Sequence, residues 1–346
     1  MTDQWRVARG WLRVARKAWW LALATACTSA PMNYMVSHGP VAGSERSLGW
    51  WLVIVSAVVV VVITVLVVAG ALHRPAERSG TELARTAGRS GLAWIYFGGL
   101  IIPAVILVVS FALTLGTLHA TTRPPTDPAA TIQIIGRRWW WEVRYVDPRD
   151  PTSTIVTANE IHVPVGKPVR LEITSADVIH SFWIPQLAGK TDAIPGETNV
   201  AWLQADTAGI YRGQCTEYCG LQHANMAAFV IADSPQAFAE WEQAQRKPAA
   251  APSDPEAAAG LAVFQKSACA TCHAIRGSDA LGRVGPDLTH LASRLTLAAG
   301  ALQNTRGNLA GWIGNSQSIK PGNDMPVMNL PPNDLQALLT YLETLK

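Results

Sequence analysis

The sequence has little charge and little cysteine for its length. Only 15% of its 346 residues are charged, the formal net charge is +3, and there are five cysteines. No internal repeat is evident. The small net charge argues against a nucleic-acid partner. A chain of this length exceeds one ordinary hydrophobic core, so two or three domains are predicted.

Two long stretches contain no charged residue at all, Leu48–Leu72 and Leu92–Leu118. Each exceeds the roughly 20 residues that cross about 30 Å of hydrocarbon as a helix. A buried helix of a globular domain is the alternative, but such helices rarely run this long without a charge. We therefore predict transmembrane helices at residues 48–72 and 92–118.

The loop between these spans, residues 73–91, is rich in arginine. It holds four arginines against two glutamates: Arg74, Arg78, Arg85, Arg89, Glu77 and Glu82. By the positive-inside rule this loop faces the cytoplasm. Residues 27–47 and everything after Leu118 are then expected outside. The predicted location is a bacterial plasma (inner) membrane, with the large domains on its periplasmic face.

The first 26 residues resemble a signal peptide of the lipoprotein type. Five basic residues come first: Arg6, Arg9, Arg13, Arg16 and Lys17. The apolar stretch that follows, residues 18–26, is too short to span a bilayer. It ends in Leu23-Ala-Thr-Ala-Cys27, which is similar to a lipoprotein cleavage site. Cys27 would then be lipid-modified; an unmodified cysteine behind an uncleaved leader is the alternative.

The remaining sequence changes character near residue 250. Residues 119–246 have a β pattern, with apolar residues alternating at 161–165 and 169–173 around a Gly-Lys-Pro turn. Many short strands broken by Gly and Pro favour a sandwich or barrel. A Pro/Ala-rich linker follows at 247–255, and residues 256–346 are predicted to form a small helical domain.

The first metal-binding pattern is Cys215-Thr-Glu-Tyr-Cys219-Gly-Leu-Gln-His223-Ala-Asn-Met226. Two thiols, an imidazole and a thioether form a soft donor set that selects copper over hard cations. His180, upstream, can bring a second imidazole from a separate loop. Two histidines and two cysteines could also bind zinc. Met226 and the lack of a Cys-x-x-Cys pair in this segment count against zinc.

The second pattern is Cys269-Ala-Thr-Cys272-His273, the attachment sequence of a c-type haem. Two thiols on one helical turn can form thioethers with the haem vinyl groups, with His273 beneath the iron. A redox-active disulfide is the alternative. The adjacent histidine and the helical stretch before it count against that alternative.

The distal haem ligand is predicted to be a methionine before the last helix. Met325, in the segment 321–326, resembles the c-type cytochrome pattern, and Met328 is the alternative. Met/His ligation raises the potential of the iron. Gly285-Pro286 resembles the loop whose backbone carbonyl orients the proximal histidine. His290 is expected at the surface or at a helix start.

With these motifs the chain resembles subunit II of the haem–copper cytochrome c oxidases, fused to a cytochrome c domain as in the caa-type oxidases. The resemblance implies a multi-domain chain: a two-helix transmembrane hairpin, a cupredoxin-like all-β barrel with a dinuclear copper (CuA) centre, and an all-α class I cytochrome c domain. The copper ligands it implies are His180, Cys215, Cys219, His223 and Met226, with the backbone carbonyl of Glu217 as the sixth.

The resemblance implies two further sites. Asp192 and the side chain of Glu217 match residues that bind magnesium at the boundary with subunit I, and carboxylate oxygens suit that ion. An ordinary salt bridge is the alternative for both residues. Trp139 matches the tryptophan at the surface where electrons enter, with a packing role as the alternative.

The implied function is that of an electron-transfer subunit. Electrons would pass from one covalent haem c to the two-copper centre and on to haem a of subunit I. Oxygen is reduced to water there, coupled to proton translocation, so the bond chemistry lies outside this chain. The implied partners are subunits I and III, membrane lipid, and reduced cytochrome c or a quinol–cytochrome c reductase as donor. A CuA-containing nitric oxide reductase subunit and a copper-delivery protein are the alternatives.

Overall fold

The computed structural model describes residues 31–72, 90–147, 150 and 153–346. The predicted signal peptide, Cys27 and most of the arginine-rich loop lie outside the described residues. The chain divides into two compact units. One unit is Gly43–Arg123, and the other combines Met1–Ala42 with Pro124–Lys346.

The smaller unit contains two long apolar helices. The first, α1, is Pro40–Leu72; the second consists of α2 (Ser90–Trp94), π-helical turns at Ile95–Ile101, and α3 (Ile102–Thr122). The Trp51 Nε1–H donates a hydrogen bond of 3.0 Å to Ser110 Oγ, so the two helices lie side by side. Their valine, leucine and isoleucine side chains are exposed along almost the whole length. Length and composition suffice for both helices to cross a membrane.

In the larger unit, the described residues include a β domain of ten strands. They are β1 (Thr131–Arg137), β2 (Trp140–Val146), β3 (Ile155–Ala158), β4 (Glu160–Pro164), β5 (Val169–Ser175), β6 (His180–Phe182), β7 (Thr191–Ala193), β8 (Asn199–Leu203), β9 (Gly209–Gln214) and β10 (Ala227–Asp233). One sheet has the order β3-β2-β1-β5-β8, a second β4-β10-β9, and β6 pairs with β7. The predicted cupredoxin-like fold class is confirmed.

Alternating side chains build the core of this domain. In β5 every second residue is buried, from Val169 through Leu171 and Ile173 to Ser175, as the sequence pattern predicts. Gly166 makes the turn from β4 to β5 with a φ of +73°, a conformation that glycine adopts without a steric penalty. These strands form a rigid frame, and the loops at their ends carry the polar and sulfur-containing residues considered below.

Residues 235–246 differ from the predicted β pattern. They form a helix, α4 (Pro235–Arg246), that begins with the side chain of Ser234 accepting a hydrogen bond from the Ala237 N–H. A serine cap followed by proline at the first helical position is a standard helix start. Trp241 packs against His162 of β4 with ring centroids 4.3 Å apart. The helix therefore covers one edge of the β domain.

The C-terminal domain is helical, as predicted. Its elements are α5 (Pro255–Lys266), α6 (Cys269–Cys272), a short hairpin of β11 (Thr296–Leu297) and β12 (Leu302–Gln303), α7 (Arg306–Gly314), α8 (Ser316–Ile319) and α9 (Pro332–Leu342). Asp254 caps α5 by accepting from the Ala257 N–H at 2.9 Å. Buried apolar side chains of α5, α7 and α9 meet in one core.

Helices α5 and α9 cross most closely at Gly260. A Cβ at this position would lie 2.0 Å from the Ala337 carbonyl oxygen and 2.7 Å from Tyr341 Cβ. Gly260→Ala should therefore push the helices apart and lower the free energy of unfolding by about 1–3 kcal/mol.

Gly311→Ala in α7 is the matched control, because nothing lies within 4 Å of its Cβ position. The control should be neutral or stabilising by roughly 0.5–1 kcal/mol. Denaturant titration of the full chain, monitored by the circular dichroism of the haem, measures the free energy of unfolding of both variants. Equal stability of the two variants would contradict this account of the crossing.

Candidate metal centre and haem pocket

A single loop between β9 and β10 carries most of the predicted copper ligands. The loop leaves β9 at Gln214 and returns to β10 at Ala227, and the Cys215 N–H closes its base by donating to the Met226 carbonyl at 2.9 Å. His180 comes from β6, whose neighbour Ser181 accepts a hydrogen bond from the Thr216 N–H at 3.0 Å. Two separate segments of the sequence are thereby held together.

The donor atoms of these residues form one cluster. The Sγ atoms of Cys215 and Cys219 lie 3.8 Å apart, and His180 Nδ1 lies 3.9 Å from Cys215 Sγ. Cys219 Sγ lies 3.6 Å from His223 Nδ1 and 3.9 Å from Met226 Sδ. All five side chains that the sequence predicts as copper ligands contribute a donor atom to this cluster. The sixth predicted donor, the Glu217 carbonyl oxygen, lies 3.3 Å from Cys215 Sγ.

Hydrogen bonding fixes which nitrogen of His180 faces the sulfur atoms. Its Nε2 lies 2.8 Å from Asp177 Oδ1. Because a carboxylate only accepts, Nε2 carries the proton and Nδ1 presents its lone pair to the cluster. Such an outer carboxylate orients a ligand and raises its basicity. Asp177 was not predicted from the sequence, although an acid three residues before a candidate ligand is a recognisable signal.

The two buried thiols compete for one negative charge. The Cys219 S–H stabilises a thiolate at Cys215 and lowers the pKa of Cys215 to about 4. The same hydrogen bond, followed by burial, raises the pKa of Cys219 far above its ordinary value. Two adjacent buried thiolates repel each other unless a cation lies between them. The pair therefore fits a site in which bound metal supplies positive charge to both sulfur atoms.

The donor set fits copper better than zinc. A structural zinc site is satisfied by four donors in a tetrahedron. Here a fully buried thioether, Met226, belongs to the cluster as well. Thioether and thiolate together are ligands typical of copper. The residues present therefore fit the predicted dinuclear copper centre.

The two carboxylates predicted to bind magnesium lie on neighbouring segments. Asp192 is half-buried in β7 and pairs with Ser181 of β6. Glu217 is exposed on the loop that carries the two cysteines. Their role in magnesium binding stays a prediction.

A cavity of about 180 Å³, lined mostly by the C-terminal domain and on one side by the β domain, gathers the predicted haem residues. Cys269, Cys272, His273, Met325 and Met328 all line it, together with apolar side chains of α5, α7 and α9. Both cysteines are free thiols on the single turn of α6. An apolar cavity with two thiols and an imidazole on its wall fits a covalently attached haem better than a disulfide.

The proximal side of this cavity is ordered around His273. Its Nδ1 lies 2.7 Å from the Pro286 carbonyl oxygen, so Nδ1 carries the proton and Nε2 is left as the ligand atom. A Cβ on Gly285 would lie 2.5 Å from the imidazole ring, so only glycine fits there. Burial lowers the pKa of His273, which keeps the imidazole in the neutral form that binds metals.

The distal side has two methionines on one segment. The backbone of Met325 is held at both ends: its N–H donates to Asn323 Oδ1 at 2.8 Å, and its carbonyl accepts from Ser316 Oγ at 2.7 Å. Gln317 donates to the same carbonyl at 2.9 Å. Met328 also reaches the cavity wall. This anchoring favours Met325 as the ligand, and the choice stays a prediction.

His290 does not lie at the surface. It is 4% exposed and lies near two carbonyl oxygens, with Nδ1 2.8 Å from that of Lys346 and Nε2 3.1 Å from that of Lys247. The imidazole thus ties the C-terminus and the linker to the same domain. The other expectation, a helix start, is confirmed, because His290 directly precedes the 3-10 helix Leu291–Ser293. The surface position was wrong because both partners are backbone atoms distant in sequence.

Comparison with known proteins agrees with this arrangement. Residues 149–233 match the family described as cytochrome C oxidase subunit II, periplasmic domain, and residues 257–346 match cytochrome c. The chain is 34% identical over 252 residues to cytochrome c oxidase subunit 2 of Alkalihalophilus pseudofirmus, an alignment that covers 71% of each chain. The chain belongs to the cytochrome c oxidase subunit II family.

A second full-length relative and a solved domain also match this chain. Cytochrome c oxidase subunit 2 of Bacillus sp. (strain PS3) is 33% identical over 264 residues, covering 71% of this chain and 72% of the relative. The solved periplasmic domain of subunit II from Bradyrhizobium japonicum is 32% identical, with a TM-score of 0.33, and covers 35% of this chain and 96% of that one.

Membership confirms the coarse predictions. This subunit II carries a cytochrome c domain, has an electron-transfer role within a cytochrome c oxidase, and is implied to bind copper and haem. A partner subunit I is likewise implied. Two apolar helices and a periplasmic-type domain indicate a membrane protein with an extracellular domain.

In this subunit II, Trp139 lies between the copper-binding domain and the cytochrome domain. It is 8% exposed, and its indole N–H donates to the Cys219 carbonyl oxygen at 2.9 Å. We call residues 215–226, between β9 and β10, the copper loop. A Cβ at Gly220 in this loop would lie 3.2 Å from the Trp139 ring, and a Cβ at Gly322 in the cytochrome domain would lie 3.8 Å from the same ring. Trp139 also lines the haem cavity. The predicted surface where electrons enter is therefore covered by the chain's own cytochrome domain.

A second interdomain contact surrounds the carboxylate of Glu160. This buried side chain accepts from the backbone N–H groups of Leu295 and Thr296, both at 2.9 Å. Nearby, the Ala227 N–H donates to the Ala299 carbonyl at 3.0 Å. These contacts hold the hairpin of β11 and β12 against strands β4 and β10. Sequence reasoning missed Glu160, because its partners are backbone groups about 135 residues away.

Proposed function

We propose that this chain accepts electrons through one covalently bound haem c, passes them to a dinuclear copper centre, and delivers them to haem a of subunit I. Oxygen is reduced to water in that subunit, coupled to proton translocation. The observation that carries the proposal is the position of Trp139, which contacts both candidate cofactor sites. This side chain lines the haem cavity and donates its indole N–H to the backbone of Cys219.

The side chains of the copper loop suit a site that gains and loses one charge. His180, Cys215, Cys219 and Met226 are buried, so the centre lies in a low-dielectric setting with little water to reorganise. A copper pair supplies a redox couple that shares one electron over two metals. The chain's part is to hold the donor atoms of the copper loop and of His180 in β6 in fixed positions. The base of the loop and the Asp177–His180 hydrogen bond provide that rigidity.

The cytochrome domain would serve as the built-in donor to this centre. Thioethers at Cys269 and Cys272 and axial ligation by His273 and Met325 would place a haem in the cavity beside Trp139. Reduced cytochrome c or a quinol–cytochrome c reductase would supply the electrons. Asp192 and Glu217 would share a magnesium ion with subunit I.

The proposed setting is a bacterial plasma membrane, with the two metal-binding domains on the outer face. Subunits I and III and membrane lipid are the proposed partners. Cys27 would add a lipid anchor after removal of residues 1–26. Intact-mass analysis tests this last point, because a chain that still starts at Met1 without lipid would contradict it.

Time-resolved absorption of the intact complex tests the proposed electron path. After rapid reduction of the haem, its reoxidation should match the appearance of reduced copper in rate and amount. The same complex should then consume oxygen; consumption of nitric oxide instead would assign the chain to a nitric oxide reductase. Reduction of the copper without passage through the haem would contradict the proposed order of carriers.

A further inference from the structure

Lys320 occupies an unusual place between the two domains. Its side chain belongs to the cytochrome domain but is only 3% exposed. The ammonium donates to the carbonyl oxygen of Trp139 at 2.7 Å and to that of Ala298 at 3.0 Å. Taking a charged amine out of water is costly unless it is well compensated. A lysine buried at this position therefore requires an explanation beyond packing.

Lys320 is connected to the copper loop through Trp139. The Trp139 carbonyl accepts a hydrogen bond from the Lys320 side chain, and the Trp139 indole N–H donates to the Cys219 carbonyl at 2.9 Å. A single residue therefore links the lysine of the cytochrome domain to the loop that carries the two cysteines.

The segment that begins at Lys320 touches the copper-binding domain repeatedly. Gln222 of the copper loop donates to the Pro321 carbonyl at 2.8 Å, and Gly322 lies over the Trp139 ring. Three residues further on, the same segment supplies Met325 to the haem cavity. One short stretch of chain therefore connects the distal wall of the haem cavity to the loop of the copper centre.

The partner carbonyl of Ala298 supports the importance of this contact. Ala298 and Ala299 have φ values of +52° and +57°. The left-handed conformation costs a non-glycine residue roughly 1–2 kcal/mol. The strained turn points one carbonyl to Lys320 and the next to the Ala227 N–H of the copper-binding domain. Strain of this kind persists where the surrounding contacts require it.

We propose that Lys320 is a positioning residue for electron transfer between the two domains: its side chain ties the methionine-bearing segment of the haem cavity to the backbone of Trp139, and Trp139 in turn contacts the copper loop. This inference rests on the proposed function. It adds a residue of the cytochrome domain that belongs to neither ligand set.

Two substitutions separate this role from general stability. Lys320→Met removes the charge and both hydrogen bonds but keeps much of the side-chain volume, whereas Lys320→Arg keeps the charge and the donors. Lys266→Met is the matched control, because Lys266 is an exposed lysine of the same domain. Copper and haem content of each complex is measured first, so that only loaded complexes are compared.

In the loaded complex, Lys320→Met should slow transfer from haem to copper at least tenfold, with the reduction potentials of both centres unchanged, because a lost positioning contact alters the path and not the ligands. Lys320→Arg should recover transfer to within about threefold, and Lys266→Met should match the parent chain. Transfer at the parent rate in loaded Lys320→Met would overturn the inference. Should Lys320→Met fail to load, Lys320→Gln decides instead, since it must also be slower than the parent. If the parent chain itself shows no transfer from haem to copper, the proposed function fails, independently of Lys320.

Discussion

Cys219→Ser is expected to abolish the copper centre and leave the haem largely unchanged. Cys219 Sγ is the central donor of the cluster, because Cys215 Sγ, His223 Nδ1 and Met226 Sδ all lie within 3.9 Å of it. A serine hydroxyl is a harder donor that is protonated at neutral pH, so it would be a poor replacement for the thiolate in a copper site. Copper content should fall from two atoms per chain to fewer than one, with loss of the near-infrared absorption. The predicted haem ligands and attachment cysteines belong to the other domain, so the visible spectrum of the haem should persist.

Tyr218→Phe provides a control from the same loop. Tyr218 is exposed beside Cys219, and its ring lies 5.8 Å from that of His223. Removing its hydroxyl should leave the copper content at two. Metal analysis and near-infrared spectra of both variants make the comparison. Cys219→Ser with two coppers and an unaltered spectrum would show that this sulfur is not a ligand.

Met325→Leu is expected to remove the distal haem ligand and leave attachment of the haem intact. Leucine keeps the apolar volume but offers no lone pair, and loss of a thioether ligand lowers the potential of haem iron. Axial ligands control a range of about 0.8 V, so a fall on the order of 0.1 V is a conservative expectation. Each 59 mV is a factor of ten for one electron, which makes the haem roughly fifty-fold harder for its donor to reduce. Spectroelectrochemical titration of the complex measures the shift.

Met328→Leu is the matched control, since both methionines line the cavity. If Met325 is the ligand, Met328→Leu should retain the parent potential and spectrum. The reverse result, with the shift in Met328→Leu alone, would assign the distal position to Met328. The hydrogen bonds that fix the Met325 backbone would then need another explanation.

The sequence predicted the parts of this protein whose signals are local. The uncharged runs, the alternation in β5 and the spacing of the cysteines each depend on residues near one another in the chain. The donors of the copper loop also share one short segment, and only His180 had to be brought from elsewhere. Where a motif and its ligands lie on one turn or loop, the backbone geometry follows from the spacing.

The contacts between the domains were not predictable in this way. Lys320 and Glu160 bind backbone carbonyl and N–H groups, which every residue carries and which leave no sequence signal. Trp139 was expected at a surface, and its burial depends on where the cytochrome domain docks. The burial of His290 likewise depends on distant backbone carbonyls, although its place at a helix start was predicted. The helix α4 was missed because a long series of β signals preceded its Ser-Pro start.

The central claim is that one polypeptide holds two coppers and one covalent haem. Metal and haem analysis of the isolated complex, combined with visible and near-infrared spectra of this subunit, tests it most directly. The account predicts two coppers and one c-type haem on this chain, with the copper signal lost in Cys219→Ser. A single zinc at the cysteine loop, or a fully matured chain without copper, would contradict it.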